Sequence, residues 1–261
     1  METNETLTGI SEAGLFLADY AAWLWGCGAT CVRISKNVNR IASSFGYEAE
    51  IIVMSGNIAV ALYAHHGERG EVFICRNKAC GINFDLNARL SALSWNITDN
   101  RLDISVARNL FTRIISRHYH SGMRIMLFTS LANASFCRLF GGDHAAMTTV
   151  FFATMAGYYM KQRLLRLKAD SRVVFFVCAF VSSVLCAGAN LFNWGSTPQV
   201  AIATSVLYLI PGVPYLNAAS DLIARQYLCS FSRFTDAVDL TDSLSAGLCL
   251  GLVVMRINML W

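Results

Sequence analysis

One stretch of the chain decides the fold class. Residues 173–220 read VVFFVCAFVSSVLCAGANLFNWGSTPQVAIATSVLYLIPGVPYLNAAS, and they contain no Asp, Glu, Lys or Arg. A membrane-spanning helix needs about 20 apolar residues, so this stretch is too long for one buried helix and suits two spans. The residues from Trp194 to Pro198 are rich in turn formers and predict the connection. The stretch therefore predicts an integral membrane protein.

The overall composition agrees with this prediction. Hydrophobic residues make up 55% of the 261 residues and charged residues 15%, against about 25% in soluble domains. The net charge is +4, but the basic residues are not gathered on a polar segment, so no nucleic-acid partner is expected. The nine cysteines are scattered through apolar runs without a C-x-x-C pair, which predicts neither disulfides nor a metal site. Because no phosphate-binding glycine loop or catalytic triad is visible, we expect neither an enzyme nor a cofactor.

Charge-poor runs in the second part of the chain predict five transmembrane helices. Their ranges are 125–140, 145–160, 173–193, 199–217 and 240–257. The first two hold 16 residues each, about 24 Å of helix, which is slightly short for a ~30 Å hydrocarbon core. The predicted transmembrane domain occupies residues 121–261.

Residues 1–120 mix polar and apolar positions and predict a small α+β domain. The sequence predicts helix over 12–44, strands at 49–54, 57–63 and 71–76, and further helices at 84–95 and 103–117. The apolar run 13–32 also allows a first span or a membrane-associated segment. Its Asp19 and the acidic residues before it favour a helix buried in the domain.

The Lys and Arg residues of the short connections predict the orientation. Ten of them fall on one side of the five predicted spans and two on the other. The ten are Arg113, Arg117, Arg124, Lys161, Arg163, Arg166, Lys168, Arg172, Arg225 and Arg233. Cytoplasmic connections carry the excess of basic residues. The chain is therefore predicted to be a multi-pass protein of the inner (cytoplasmic) membrane, with a cytoplasmic amino-terminal domain.

The segment LYLIPGVPYLNAASD, residues 207–221, is the first candidate for chemistry. Pro211 and Pro214 have no amide proton to donate. The carbonyls of Leu207 and Ile210, four residues earlier, therefore lose their helical partners, and Gly212 loosens the same turn. Broken helices often form the substrate sites of transporters, because orphaned backbone groups at membrane depth need a lined cavity. The alternative is a kink that only serves helix packing.

Uncharged polar residues near this break extend the candidate substrate pathway. They are Asn190 and Asn193 in the third predicted span and Thr204, Ser205 and Asn217 in the fourth. Each of them, taken alone, also fits an ordinary hydrogen bond between helices.

Three aspartates recur every third residue where the last span is predicted to begin. Asp236, Asp239 and Asp242 share one face of a helix, and an intramembrane carboxylate there would suit a proton or cation path. The alternative is a helix start, where acidic residues face the positive end of the dipole. Asp242, the deepest of the three, is assigned a gating or structural role.

Asp221 is predicted to form a structural or gating ion pair near the cytoplasmic surface. Its partner is either Arg225, at i,i+4 spacing, or Arg233.

Short motifs along the chain resemble those of the threonine/serine exporter family. In order, they are Gly28-Ala29-Thr30-Cys31-Val32-Arg33, Arg76-Asn77-Lys78-Ala79-Cys80-Gly81-Ile82-Asn83, Phe136-Cys137-Arg138, Gly141-Gly142, Thr197-Pro198, Ser205-Val206-Leu207, Pro211-Gly212-Val213-Pro214, Asn217-Ala218 and Asp221. The likeness covers nearly the whole chain and is closest to the short type of subunit associated with succinate export. The aspartates at 236, 239 and 242 depart from the family pattern.

The resemblance implies a cytoplasmic amino-terminal domain, five spans and a second, smaller polytopic membrane subunit as partner. It implies one subunit of a two-component inner-membrane exporter of small carboxylates, with succinate, threonine and serine as candidates. Thr30 and Arg33 of the first motif are expected to act in gating or structure. The alternative is a membrane-anchored binding or regulatory protein that works through its cytoplasmic domain. The energy source and the oligomeric state stay open.

Overall fold

The computed structural model describes residues 2–54, 56–64, 70–78, 80–116, 122–191 and 195–255, and all their side chains except those of 2–8 and 189–191. Its elements are α1 (Glu2–Gly26), α2 (Cys31–Ser44), β1 (Tyr47–Val53), β2 (Asn57–Ala64), β3 (Gly70–Arg76), α3 (Phe84–Asp99), α4 (Ile104–Ile115), α5 (Gly122–Leu139), α6 (His144–Arg166), α7 (Ser171–Leu191), α8 (Pro198–Ser205), a 3₁₀ turn (Leu207–Leu209), α9 (Gly212–Ile223) and α10 (Tyr227–Val254).

The chain folds into two compact units. The first contains Met1–His118 and Val213–Phe234, and the second contains Tyr119–Gly212 and Thr235–Trp261. The sequence assigns residues 213–234 to the membrane part, whereas in the structure they pack with amino-terminal residues. The reason is a set of side chains from this segment that bind the backbone of residues 28–31, described below.

The first unit is built on a three-stranded antiparallel sheet in the order β1-β2-β3, which confirms the predicted small sheet. Its register pairs Val60 of the central strand with Ile51 on one side and Phe73 on the other. Helix α1 packs on β2 and β3, and α2 packs on β1 and α3. Large apolar side chains of α1 lie fully buried, among them Phe16, Leu17, Tyr20 and Leu24. Helix α1 is therefore part of this core.

The predicted single helix over 12–44 is two helices in the structure. Gly28 adopts a positive φ of 90°, which only glycine accepts at little cost, and it turns the chain between α1 and α2. Thr30 then caps α2, because its hydroxyl accepts a hydrogen bond from the Arg33 amide at 3.4 Å.

The second unit packs α5, α6, α7, α8 and the later part of α10 around small side chains. Its core contains Ala146, Ala153, Ala187 and Ala201. Gly247 of α10 lies so close to α7 that an added Cβ would be 2.2 Å from the Phe176 carbonyl oxygen. Small residues that let helix backbones approach closely are typical of helix packing in membranes.

Two of the described helices are long and apolar enough to cross a membrane by length and composition. They are Ser171–Gly188 within α7 and Tyr227–Val254, with mean hydropathies of 1.9 and 1.5. A third appears if Pro198–Leu209 and Gly212–Ile223, bent by 58°, count as one span. The predicted runs 125–140 and 145–160 form helices α5 and α6, but among the described residues these do not meet the same standard. The five predicted spans thus stay a prediction.

The last span, predicted over 240–257, begins inside a helix that starts earlier, and where the membrane part of this helix begins stays a prediction. Helix α10 begins at Tyr227, well before residue 240, so the aspartates at 236, 239 and 242 lie inside a helix of 28 residues. These aspartates do not interact with the positive end of the helix dipole, because the stabilisation of acidic side chains by the dipole falls off within the first turn. Asp239 instead pairs with Arg172 at 2.6 Å, and Asp242 lies exposed.

Candidate functional site

The chain breaks between α8 and α9, at the place that the prolines predict. Helix α8 ends at Ser205, and a 3₁₀ turn leads to Ile210, whose φ and ψ are −55° and 124°. The ring of Pro211 forces this extended conformation on the residue before it. The break is therefore encoded locally, by the residue pair at 210 and 211.

The carbonyls predicted to be orphaned have local partners instead. The Ile210 amide donates to the Leu207 carbonyl at 3.1 Å, and the Gly212 amide donates to the Ile210 carbonyl at 2.8 Å. The second bond closes a three-residue turn over Pro211, a turn that suits the fixed φ of proline. The prediction that these two carbonyls are free is thus wrong, because the chain tightens into turns on both sides of the break.

The end of α8 exposes a different carbonyl, that of Thr204, to a side chain. Asn133 of α5 donates its amide protons to the Thr204 carbonyl at 3.1 Å and to the Thr154 hydroxyl of α6 at 2.6 Å. All three residues are buried. One side chain thus ties three helices together at the break and uses both of its donors.

A second pair of polar groups lies one turn beyond, where Tyr208 and Ser182 of α7 place their hydroxyl oxygens 3.0 Å apart. Gly157 makes room for this pair, since an added Cβ would be 2.0 Å from the tyrosine oxygen and 2.4 Å from the serine oxygen. The Tyr208 ring also lies 6.3 Å from the ring of Tyr158.

A cavity of about 420 Å³ lies beside these groups, and we call it the break cavity. It is lined by Thr129, Ala132, Asn133, Phe136, Phe140, Leu207, Tyr208 and Ile210. Its size and mainly apolar lining with a few polar groups are typical of small-molecule sites. The lining contains no charged side chain, so the cavity itself offers hydrogen bonds and apolar contact.

The remaining predicted pathway residues divide between several places. The hydroxyls of Thr204 and Ser205 donate to carbonyls of their own helix, at Val200 and Ile202. Asn193 and the side chain of Asn190 fall outside the described residues. Pro214 and Asn217 belong to the first unit, where the Asn217 amide donates to the Gly28 carbonyl at 2.9 Å.

Asp221 is fully buried in the first unit and pairs with Arg233, not Arg225. Its Oδ1 atom accepts the Cys31 amide at 2.9 Å, and Arg233 Nε lies 3.4 Å from Oδ2. Oδ2 accepts no hydrogen bond from the described residues, so this second contact is ionic. Arg233 also donates to the Ala29 carbonyl at 2.6 Å. The partner is thus one of the two that the sequence allows, and the buried pair fastens the α1–α2 turn.

The other predicted gating residues take structural positions. The Arg233 guanidinium lies 3.8 Å above the ring of Trp25. Arg33 donates to the Asn87 side chain at 3.0 Å, which links α2 to α3. Arg225 is exposed and has a positive φ of 62°, because α9 has already ended at Ile223.

Asp143, in the connection between α5 and α6, organises that end of the second unit. It accepts the backbone amides of Ala146 at 2.7 Å and Ser196 at 2.5 Å. These amides lower the pKa of Asp143 to about 2, since they stabilise the carboxylate form. The described part of the chain contains no group of His, Cys, Asp and Glu side chains that could hold a metal ion.

Sequence reasoning missed the residues that line or support the break cavity from other helices. Asn133, Thr154, Ser182 and Tyr208 each stand within an apolar run. A polar residue on the face of a span that also carries small residues is the pattern that could have indicated them. In the sequence, Lys161 of α6 indicates only orientation, whereas in the structure its ammonium lies over the rings of Phe175 at 4.9 Å and Tyr158 at 6.0 Å.

Comparison with known proteins agrees with the motifs. A protein of Klebsiella aerogenes named "Probable succinate transporter subunit YjjP" is 25% identical over 245 residues, which cover 92% of this chain and 90% of that protein. A protein of the same name from Escherichia coli K12 is 24% identical over 249 residues, which cover 93% and 92%. No solved structure gives a significant match. The family model described as "Putative threonine/serine exporter" matches residues 16–255, and the chain therefore belongs to the threonine/serine exporter family.

Proposed function

We propose that this chain is one subunit of a two-component exporter of small carboxylates in the inner membrane. It acts with a second, smaller polytopic subunit and is not an enzyme. The amino-terminal domain faces the cytoplasm, and α5 and α6 complete a set of five spans. The names of the relatives support succinate as the first substrate, and the family description supports threonine or serine.

The break cavity is the observation that carries this proposal. A helix interrupted by Pro211 places backbone and hydroxyl groups beside a cavity of about 420 Å³. Transporters commonly bind their substrates at interrupted helices. Asn133 lines the break cavity and holds the Thr204 carbonyl in place, and Tyr208 lines it while its hydroxyl pairs with Ser182.

Lys161 supplies the positive charge that a carboxylate requires. Its ammonium is partly buried against Phe175 and Tyr158, and within the described residues it makes no ion pair. The Tyr158 ring in turn contacts Tyr208, which lines the break cavity. Burial lowers the pKa of Lys161, because its ammonium has lost solvation that the rings replace by only about 0.5–2 kcal/mol, and an anion beside it would stabilise the charged form.

Export of labelled succinate and threonine from cells tests this function. Cells that contain both subunits are compared with cells that lack either one, and then with cells that carry Asn133→Leu. This change keeps the branched shape but removes two hydrogen bonds, each worth about 0.5–1.5 kcal/mol, so we expect export about tenfold slower at equal amounts of membrane protein.

The matched control is Ser135→Leu, an exposed position on the same helix. Its export rate should equal that of the wild type. Wild-type export in the Asn133 variant would remove the break cavity from the mechanism. Unchanged export without either subunit would instead favour a regulatory role through the cytoplasmic domain.

A further inference from the structure

A small cationic cavity lies at the end of the second unit where α5 begins and α6 ends, and we call it the arginine pocket. Its volume is about 250 Å³, and its lining consists of Gly122, Met123, Met126, Tyr159, Gln162, Arg163 and Arg166. The lining carries two positive charges and no carboxylate. Among the described residues neither arginine forms an ion pair, so the pocket keeps an uncompensated charge.

The pocket is held in shape by hydrogen bonds to neutral acceptors. Arg163 donates from Nε and Nη2 to the Tyr159 hydroxyl, at 3.0 and 2.6 Å. The Gln162 amide donates to the Gly122 carbonyl at 2.9 Å, which closes the floor between the two helices. The tyrosine hydroxyl fixes the position of the guanidinium but leaves its charge unpaired. An anion is the missing partner.

An apolar stripe runs from this pocket along the outer surface of α5. Met123 lines the pocket, and Leu127 and Leu131 follow at successive turns of the helix. All three are more than half exposed, at 67%, 51% and 55%. Eight residues of helix extend about 12 Å. The surface therefore combines a site for a negative headgroup with a track for an apolar chain.

We infer that the arginine pocket binds the phosphate of an anionic phospholipid, whose acyl chain lies along the stripe on α5. Phosphate is recognised well by arginine, and basic pockets at the cytoplasmic ends of membrane helices are known sites for acidic headgroups. Arginines in the last turn of α6 also stabilise the negative end of the helix dipole. That role alone requires no ligand, and the experiment separates the two.

Binding to the purified full chain in a neutral detergent tests the inference. Four probes are titrated separately: short-chain phosphatidylglycerol, short-chain phosphatidylcholine, inorganic phosphate and succinate. Of the two lipids and inorganic phosphate, we expect only phosphatidylglycerol to bind, because it alone joins an anionic phosphate to an apolar chain without a compensating cation; succinate reports on the break cavity instead. Equal affinity for inorganic phosphate would overturn the lipid assignment and leave a free-anion site.

The variant Arg163→Gln/Arg166→Gln should weaken phosphatidylglycerol binding about 30-fold, since each basic residue contributes about a factor of five near an anionic headgroup. The control Lys168→Gln/Arg113→Gln removes the same charge from other exposed positions and should leave the affinity unchanged. Tyr159→Phe frees Arg163 without a change in charge and should give an intermediate affinity. Equal affinities in all four proteins would show that the pocket binds no headgroup. Because succinate is measured in the same titrations, failure here leaves the proposed export function untouched.

Discussion

Replacing Asp221 with Asn removes one charge from a fully buried ion pair and changes little else. The Asn side chain has the same shape, and its oxygen still accepts the Cys31 amide, which Asp221 binds at 2.9 Å. Arg233, only 8% exposed, would then be a buried cation without its counter-ion. Removing one partner of a buried pair costs about 3–5 kcal/mol.

The lower end of this range applies to Asp221→Asn. Arg233 keeps its hydrogen bond to the Ala29 carbonyl at 2.6 Å and its position over the Trp25 ring at 3.8 Å. We therefore expect a loss of about 3 kcal/mol. At 2–4 °C per kcal/mol for a chain of this size, the unfolding temperature should fall by about 6–12 °C.

Thermal unfolding of the purified chain in mild detergent, followed by tryptophan fluorescence, measures this loss. The double variant Asp221→Asn/Arg233→Met removes both charges and should recover at least half of it, because no unpaired charge remains buried. Arg225→Met, at an exposed position, should stay within about 2 °C of the wild type. If Asp221→Asn also stays within that range, or if the double variant loses at least as much as Asp221→Asn alone, the ion pair does not stabilise the fold.

Two further predictions concern the second unit. Gly157→Ala should displace the Tyr208 hydroxyl, which would lie 2.0 Å from the new methyl group. Overpacking of this kind costs about 1–3 kcal/mol, so export should fall. The control variant Gly188→Ala, whose new methyl group has its nearest atom at 4.0 Å, should export normally. Lys161→Met keeps the apolar stem but removes the charge. The apparent affinity for dianionic succinate should therefore fall about tenfold, which corresponds to ~1.4 kcal/mol. The affinity for threonine should fall by a smaller factor. Lys168→Met is the control, and unchanged affinities for both solutes in Lys161→Met would contradict a role of Lys161 in attracting carboxylates.

The elements with strong local signals could be predicted from the sequence. The three strands agree with the structure because alternation and turn residues specify them locally, and Pro211 places the break in the fourth predicted span. The sequence could not predict which carbonyl loses its helical partner and accepts a side chain instead, because this depends on whether the residues at the break form a 3₁₀ turn. The 3₁₀ turn satisfies Leu207, and Thr204 receives its partner from a helix some 70 residues away in sequence.

The partner of Asp221 shows the same limit in another form. Spacing of i,i+4 favours Arg225 only while the helix continues, and α9 ends at Ile223. Arg233 comes from the next helix, and its pairing follows from packing that no spacing rule contains. The burial of Asp221 could not be predicted from the sequence either, since an Asp near the end of an apolar run can face either water or a helix terminus.

The separation of charge from the break cavity has a consequence for transport. A carboxylate that met a fixed cation inside an apolar cavity would be held too strongly to leave, because charge interactions strengthen as the local dielectric falls. In this chain the cavity lining is neutral, and the nearest proposed cation, Lys161, lies beyond two aromatic rings. Attraction and binding are thus assigned to different residues. A solute drawn toward Lys161 would next meet hydrogen bonds alone, which are weak enough for it to be released on the other side.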